Sequence, residues 1–172
     1  MVWNWNVWYK NTQRYPIYEK QLNEVLDDVK SLGQTYLDVG CGKGRLLYKL
    51  RELKKDVDGL DLHYNNFDLL KDQWPDKKYD IAVCNLVLVH FSKDELKYVR
   101  DKIAERSKYV YIFDENRTDK KCCELVDENT HKYSHDYTNH FTNDLYEEVY
   151  HKGSENGNWV RYLFRVKNKE SL

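Results

Sequence analysis

Between Pro16 and Leu32 the apolar positions Tyr18, Leu22, Val25, Leu26, Val29 and Leu32 recur at helical spacing, predicting an amphipathic helix. Pro16 suits its first turn and Gly33 its C′ position. Thr35–Val39 (TYLDV) has the short apolar pattern of a strand and runs into a glycine-rich turn. Leu46, Leu47, Leu50 and Leu53 then share one face of a helix predicted over Arg45–Leu53. Val57–Leu62 is a second strand, and Asn66–Leu70 a short third. Tyr79–Val83 opens a near-continuous apolar strand, the kind buried on both faces of a parallel sheet.

The pattern persists toward the C-terminus. Ser92 and Glu95 have capping-box spacing, and Leu96, Val99 and Ile103 follow on one helical face. Lys108–Phe113 is another strand. Residues 118–144 are polar and aromatic, and predict a weak helix near Cys122–Val126 followed by a loop. Leu145–His151 and Trp159–Lys167 flank the turn-rich GSENGN, which predicts an antiparallel hairpin. No internal repeat is present. Strands alternating with helices and closed by a hairpin give an α/β chain with a three-layer, mostly parallel sheet.

Composition narrows the class. At 172 residues the chain is long enough for one domain. Its 28 basic and 29 acidic residues leave a net charge of −1, against a polybasic nucleic-acid coat. Seven Gly and two Pro leave little room for low-complexity linkers. The longest apolar stretch, Ile81–Phe91, is interrupted by Asn85 and falls short of the ~20 residues a membrane span needs. The N-terminus lacks a basic region and a cleavage site, so no signal peptide is expected. Cys41, Cys84, Cys122 and Cys123 show no disulfide-framework spacing, which fits a reducing, cytoplasmic setting. The adjacent Cys122 and Cys123 are either a redox switch or two ordinary thiols.

Chemistry concentrates in Leu37-Asp38-Val39-Gly40-Cys41-Gly42-Lys43-Gly44-Arg45, between a predicted strand and a predicted helix. Glycines there let the backbone turn sharply and approach a ligand, and the helix behind them offers unpaired N–H donors. A dinucleotide fingerprint G-x-G-x-x-G counted from Gly40 would need glycine where Arg45 stands. The spacing is instead G-x-G-x-G, with an acid two residues ahead.

This D-x-G-x-G-x-G turn after a strand resembles motif I of the class I S-adenosylmethionine-dependent methyltransferases, which are Rossmann-like. The resemblance extends through Val57–Leu62, a strand ending in Asp61, and through Tyr79–Phe91, similar to the family's fourth strand and the loop after it. It covers about Thr35–Phe113, and the C-terminal third by topology alone. The resemblance implies a single domain over 1–172. It divides into an aromatic N-terminal segment and helix (1–33), a cofactor-binding core (35–113) and a substrate-side loop with closing hairpin (114–172). It further implies that Asp38 accepts from the methionyl ammonium and that Gly40, Gly42 and Gly44 lie against the methionyl and ribose portions. Asp61 would accept both ribose hydroxyls, with Leu62 beside it. Asp68 resembles the acid that binds the adenine amino group, with Leu69 offering backbone and apolar contact. Asn85 and Leu86 would flank the methionyl group. One departure is visible: Asp80 follows Asp61 by only 19 positions, where the family fits a helix and a full strand.

Other residues admit two readings each. His90 is a candidate general base or a residue packed at the loop rim. Glu115 and Asn116, at the carboxyl end of a predicted strand, are substrate contacts or solvated loop polars. His131, His135 and His140 crowd one stretch, with His135 and His140 as substrate-side candidates. No metal is expected there, because Tyr and Asn interleave as in a polar loop. Trp3, Trp5, Trp8, Tyr9 and Tyr15 form a lid, a staple on the sheet or a partner patch. Asn85-Leu86-Val87-Leu88 keeps only the first residue of (Asp/Asn)-Pro-Pro-(Tyr/Phe), which disfavours amino methylation through that motif. Arg161, Arg165, Lys167 and Lys169 form a basic stripe that suits phosphates or a solvated sheet edge; nucleic acid is not otherwise indicated.

The function implied is methyl transfer from S-adenosylmethionine, leaving S-adenosylhomocysteine, to an oxygen or nitrogen nucleophile of a small molecule or macromolecule. The rivals are a catalytically silent module that binds the same cofactor as a sensor or partner subunit, and an aminopropyltransferase on the same fold.

Overall fold

The computed structural model describes residues 15–115, 124–127, 132–142, 145–153 and 159–167. Helix α1 (Tyr15–Val29) leads into β1 (Thr35–Val39), α2 (Arg45–Glu52), β2 (Asp56–Leu60) and the single turn α3 (Leu62–Asn65). Then come β3 (Tyr79–Asn85), a 3₁₀ turn (Leu88–His90), α4 (Lys93–Arg106) and β4 (Ser107–Glu115). The short strands β5 (Leu125–Asp127) and β6 (Lys132–Tyr133), helix α5 (Tyr137–Phe141), β7 (Tyr146–Gly153) and β8 (Trp159–Val166) complete the order.

Among the described residues the main sheet has six strands, in the order β2-β1-β3-β4-β8-β7. β1 pairs in parallel with β2 and β3, and β3 with β4, while β8 lies antiparallel between β4 and β7. Strand alternation divides the core. On one face Leu22, Val25 and Val29 of α1 and Leu46, Leu47 and Leu50 of α2 pack on Tyr36, Ile81, Val83, Tyr111 and Phe113. On the other, Leu96, Val99 and Ile103 of α4 and Tyr137 and Phe141 of α5 pack on Leu37, Val39, Ala82, Val110 and Ile112. The result is the three-layer, mostly parallel α/β sheet that the pattern predicts.

Local chemistry fixes the elements. Ser92 and Glu95 form the expected capping box at the start of α4. Ser92→Ala is expected to cost about 1 kcal/mol, read as a fall in thermal midpoint of about 2–4 °C. α1 ends at Val29 rather than Leu32, and the Tyr36 hydroxyl donates to the Val29 carbonyl at 2.8 Å. Gly33 has a different reason from a left-handed cap. A Cβ there would lie 2.5 Å from that of Asp80, whose carboxylate accepts from the Gln34 and Thr35 amides. These bonds hold Asp80 down at about 2. Leu53, expected on the buried face of α2, is the exposed residue after it.

Three segments differ from expectation. Asn66–Leu70 is not a strand: Asn66 is left-handed, and the Asp68 carboxylate accepts from the Leu70 amide in an Asx turn. Leu69 and Trp74 plug the core instead, joined by the Trp74 indole N–H on the Leu69 carbonyl. The cramped stretch after Asp61 therefore holds one helical turn, and β2 becomes the sheet edge. Its outward carbonyls, Val57 and Gly59, accept from Arg51 at 3.1 Å and Asn65 at 3.0 Å. Leu125–Asp127 is a strand paired with β6, not the end of a helix. Within the expected loop, Asp136 caps α5 by accepting from the Asn139 amide, and Tyr137 and Phe141 face the core at i, i+4.

The basic stripe is also resolved differently. Arg161 is turned under α1, pairing with Glu24 and Asp28 at 3.2 Å, and Tyr111 donates to Asp28 at 2.6 Å. Arg165 pairs with Glu147. Lys169, Trp3, Trp5, Trp8, Tyr9, Cys122, Cys123, His131 and residues 154–158 lie outside the described residues. Among the described residues no helix is long and apolar enough to cross a membrane.

Candidate functional site

β1, β2, β3 and β4 all end at one edge of the sheet, where parallel α/β sheets bind ligands. At the end of β1, Gly40, Gly42 and Gly44 have φ of 68°, 58° and 76°. Gly40 is constrained twice, because a Cβ there would also lie 2.2 Å from a Val87 methyl. The glycine turn thus touches the turn after β3.

Asp61 joins the glycine turn to the end of β2. One carboxylate oxygen accepts from the Gly42 amide at 3.0 Å, the other from the His63 amide at 2.7 Å, capping α3. A carboxylate has about four lone-pair sites, so both oxygens can still accept from a ligand. Leu62 beside it is 56% exposed.

Asp38 is the most unusual group. It is 2% exposed, and its Oδ2 has no hydrogen-bond partner among the described residues. Burial, and secondly the charge of Asp61, push its pKa up to about 7. Across the site, the Oδ1 of Asn85 is likewise buried and unpartnered. Leu86 takes a left-handed φ of 58° and donates its amide to the Phe113 carbonyl at 2.8 Å. These two orphaned acceptors and the glycine cradle are the features of a site for a ligand rich in donors.

Asp68 and Leu69 lie in the turn that follows α3. Lys71 pairs with Asp68 at 2.8 Å and, more than any other group, lowers its pKa, while Leu69 belongs to the core. The half-buried His90 closes the 3₁₀ turn, its amide on the Val87 carbonyl at 3.1 Å. Glu115 forms a largely buried ion pair with Lys132 of β6. Asn116 lies outside the described residues. His135 and His140 stand with ring centroids 5.4 Å apart, and His135 Nε2 lies 2.9 Å from the Phe91 carbonyl. Among the described residues no group of three His, Cys, Asp or Glu side chains converges as a metal site would.

The hub that sequence reasoning passes over is Asp114. Fully buried, it accepts from the Val89 amide at 3.1 Å, the Tyr137 hydroxyl at 2.8 Å and the Glu115 amide at 2.9 Å. It thereby ties the 3₁₀ turn to β4 and α5. Burial pushes its pKa up to about 7, against the pull of those donors. Its signal in the sequence is a carboxylate ending the apolar run Tyr109–Phe113.

A family described as a methyltransferase domain matches residues 10–140. No curated protein sequence matches the chain. Solved structures resemble it in fold. The PH0226 protein from Pyrococcus horikoshii OT3 superposes with a TM-score of 0.65 at 15% identity, over 91% of this chain and 93% of that one. Magnesium protoporphyrin IX methyltransferase (ChlM) from Synechocystis PCC 6803, solved with bound SAH, gives 0.62 at 20% identity, over 87% and 83%. The small RNA methyltransferase HEN1 gives 0.66 at 15%, over 87% of this chain and 25% of that one.

Proposed function

The chain belongs to the methyltransferase domain family, and from that premise we propose that it transfers the methyl group of S-adenosylmethionine to an oxygen or nitrogen nucleophile. The observation that carries the reading is Asp38: a buried carboxylate oxygen with no partner, behind a turn of three left-handed glycines. The residues present fit the cofactor, because its ammonium supplies a donor to the unpartnered Asp38 oxygen and its ribose hydroxyls supply donors to the lone pairs that Asp61 has left. The bound ChlM neighbour is consistent with this choice.

S-adenosylmethionine, when bound, supplies a methyl group activated by a sulfonium. The chain's own contribution is placement. Asp38 holds the ammonium and Asp61 the two ribose hydroxyls. Asn85 and Leu86 bound the methionyl side, and Gly40 lets the backbone lie close. Holding the acceptor ~3–3.5 Å from the methyl, in line with the breaking bond, supplies much of the rate enhancement. His90 is the candidate to take a proton from the acceptor. The core at 35–113 binds cofactor, and 114–172 faces the acceptor.

Thermal unfolding tests this directly. S-adenosylhomocysteine at ~100 times its dissociation constant should stabilise the protein by ~2.7 kcal/mol, a rise of about 5–10 °C, while NAD should do nothing. Asp61→Ala should remove the rise, since losing two charge-assisted hydrogen bonds weakens binding by roughly 100-fold or more. A NAD response without an adenosyl response would overturn the reading. Binding without methyl transfer to any acceptor would favour the silent module.

A further inference from the structure

His135 carries a polar atom that the placement just described does not use. Its Nε2 lies 2.9 Å from the Phe91 carbonyl, which can only accept, so Nε2 bears the proton and Nδ1 the bare lone pair. That Nδ1 is buried and has no hydrogen-bond partner among the described residues. Burial, and secondly His140, push the pKa of the ring down to about 4, so the ring is neutral near pH 7 and its lone pair is present. The rings of Tyr133, Tyr137 and His140 surround it at 5.4–6.2 Å, and none closes a hydrogen bond to Nδ1. A buried acceptor left unsatisfied costs ~1–3 kcal/mol, a cost that calls for an explanation in a native fold. The position supplies one. The carbonyl that fixes the tautomer belongs to the residue after the 3₁₀ turn, in the segment that follows β3 and that the glycine turn touches through Val87.

We propose that His135 Nδ1 accepts the O–H or N–H of the methyl acceptor, so that the site takes protic acceptors, hydroxyls or amines, in preference to carboxylates. This rests on the methyltransferase reading. In the step, the acceptor's lone pair forms the new C–O or C–N bond while the S–C bond breaks with its electron pair left on sulfur. The acceptor's proton stays hydrogen-bonded to Nδ1 as the methyl arrives and is then lost to His90 or to solvent. A carboxylate would set lone pair against lone pair.

Two variants separate accepting from anchoring. His135→Gln keeps an N–H near the position of Nε2, and so the bond to Phe91, but has nothing in place of Nδ1. His135→Asn keeps a polar group near Nδ1 and loses the bond to Phe91. The first readout is a two-bond ¹H–¹⁵N spectrum of ¹⁵N-histidine protein saturated with S-adenosylhomocysteine, with His135 assigned from the Gln variant. Catechol or ethanolamine should shift the Nδ1 resonance, and acetate and benzoate should not. With the probe that shifts it, His135→Gln should lower kcat by about 100-fold while the shift given by S-adenosylhomocysteine stays within 2 °C of wild type. His135→Asn should retain more activity despite a lower thermal midpoint. A proton found on Nδ1, an Nδ1 resonance deaf to both protic probes, or equal losses in the two variants would overturn the proposal. Failure to bind S-adenosylhomocysteine at all would instead sink the methyltransferase reading.

Discussion

Asp38→Asn is expected to make the ligand-free protein more stable at pH 8 while removing its affinity for the cofactor. The wild-type carboxylate is buried and one oxygen has no partner. Its pKa is raised to about 7, whereas in the unfolded chain it titrates near the ordinary 3.8. The sign follows from proton counts. As pH climbs from about 4 to 7 the unfolded state releases its proton first, so this group lowers stability through that window and holds it down above pH 7. The displacement corresponds to roughly 4 kcal/mol. Asparagine carries no charge but retains ~1–3 kcal/mol for a buried, imperfectly paired amide, leaving a net gain of ~1–3 kcal/mol. Thermal melts at pH 8 should show a rise of about 3–10 °C. The gain should shrink toward pH 4, where the wild-type carboxyl is neutral in both states. Titration with S-adenosylhomocysteine should show binding weakened at least ~100-fold, for want of a charge against the ammonium. In wild type, affinity should fall by up to tenfold per pH unit below about 7. A variant less stable than wild type at pH 8 would mean that another group already compensates the Asp38 charge.

Gly40→Ala should act in the opposite sense, destabilising the fold and abolishing binding together. Two costs combine. Holding alanine at φ 68° costs about 1–2 kcal/mol. The new methyl would also lie 2.2 Å from a Val87 methyl and 2.6 Å from its Cβ, so the glycine turn or the turn after β3 must move, at a further ~1–3 kcal/mol. A fall in thermal midpoint of about 5–15 °C is expected. Repeating the substitution in a Val87→Gly background isolates the contact. The steric share should disappear there, giving a coupling of ~1–3 kcal/mol, while the backbone share persists. An equal cost in both backgrounds would show that the Val87 contact is not what requires glycine at 40.

Much of the fold was legible because its signals are local. The glycine turn sits between a strand and a helix, the spacing of Leu96, Val99 and Ile103 marks α4, and the Ser92–Glu95 box needs only four consecutive residues. The misread segments are those where side-chain hydrogen bonds or distant partners decide. Phe67 and Leu69 alternate with polar residues as in a strand, yet the Asx turn at Asp68 and the left-handed Asn66 win. Leu125–Asp127 is too short for periodicity to tell helix from strand, and its pairing with β6 decides. Gly33 is needed for its closeness to Asp80, 47 positions away, which helix-end chemistry cannot reveal. In the site, the acids at 38 and 61 were legible from their places beside the turn. Asp114 was not, because its donors come from the turn after β3 and from α5, brought together only by folding.

The side-chain caps on β2 bear on how the molecule behaves in a crowd of its own copies. With the chain after α3 turned into the core, a bare β2 would present open carbonyls as a template on which another extended chain can add, the first step toward ordered aggregates. Arg51 and Asn65 already occupy two of those acceptors, at Val57 and Gly59, and Arg51 adds a charge that an incoming strand would have to desolvate. The short crossover that left this flank thin is thus compatible with a chain that stays dispersed at high concentration.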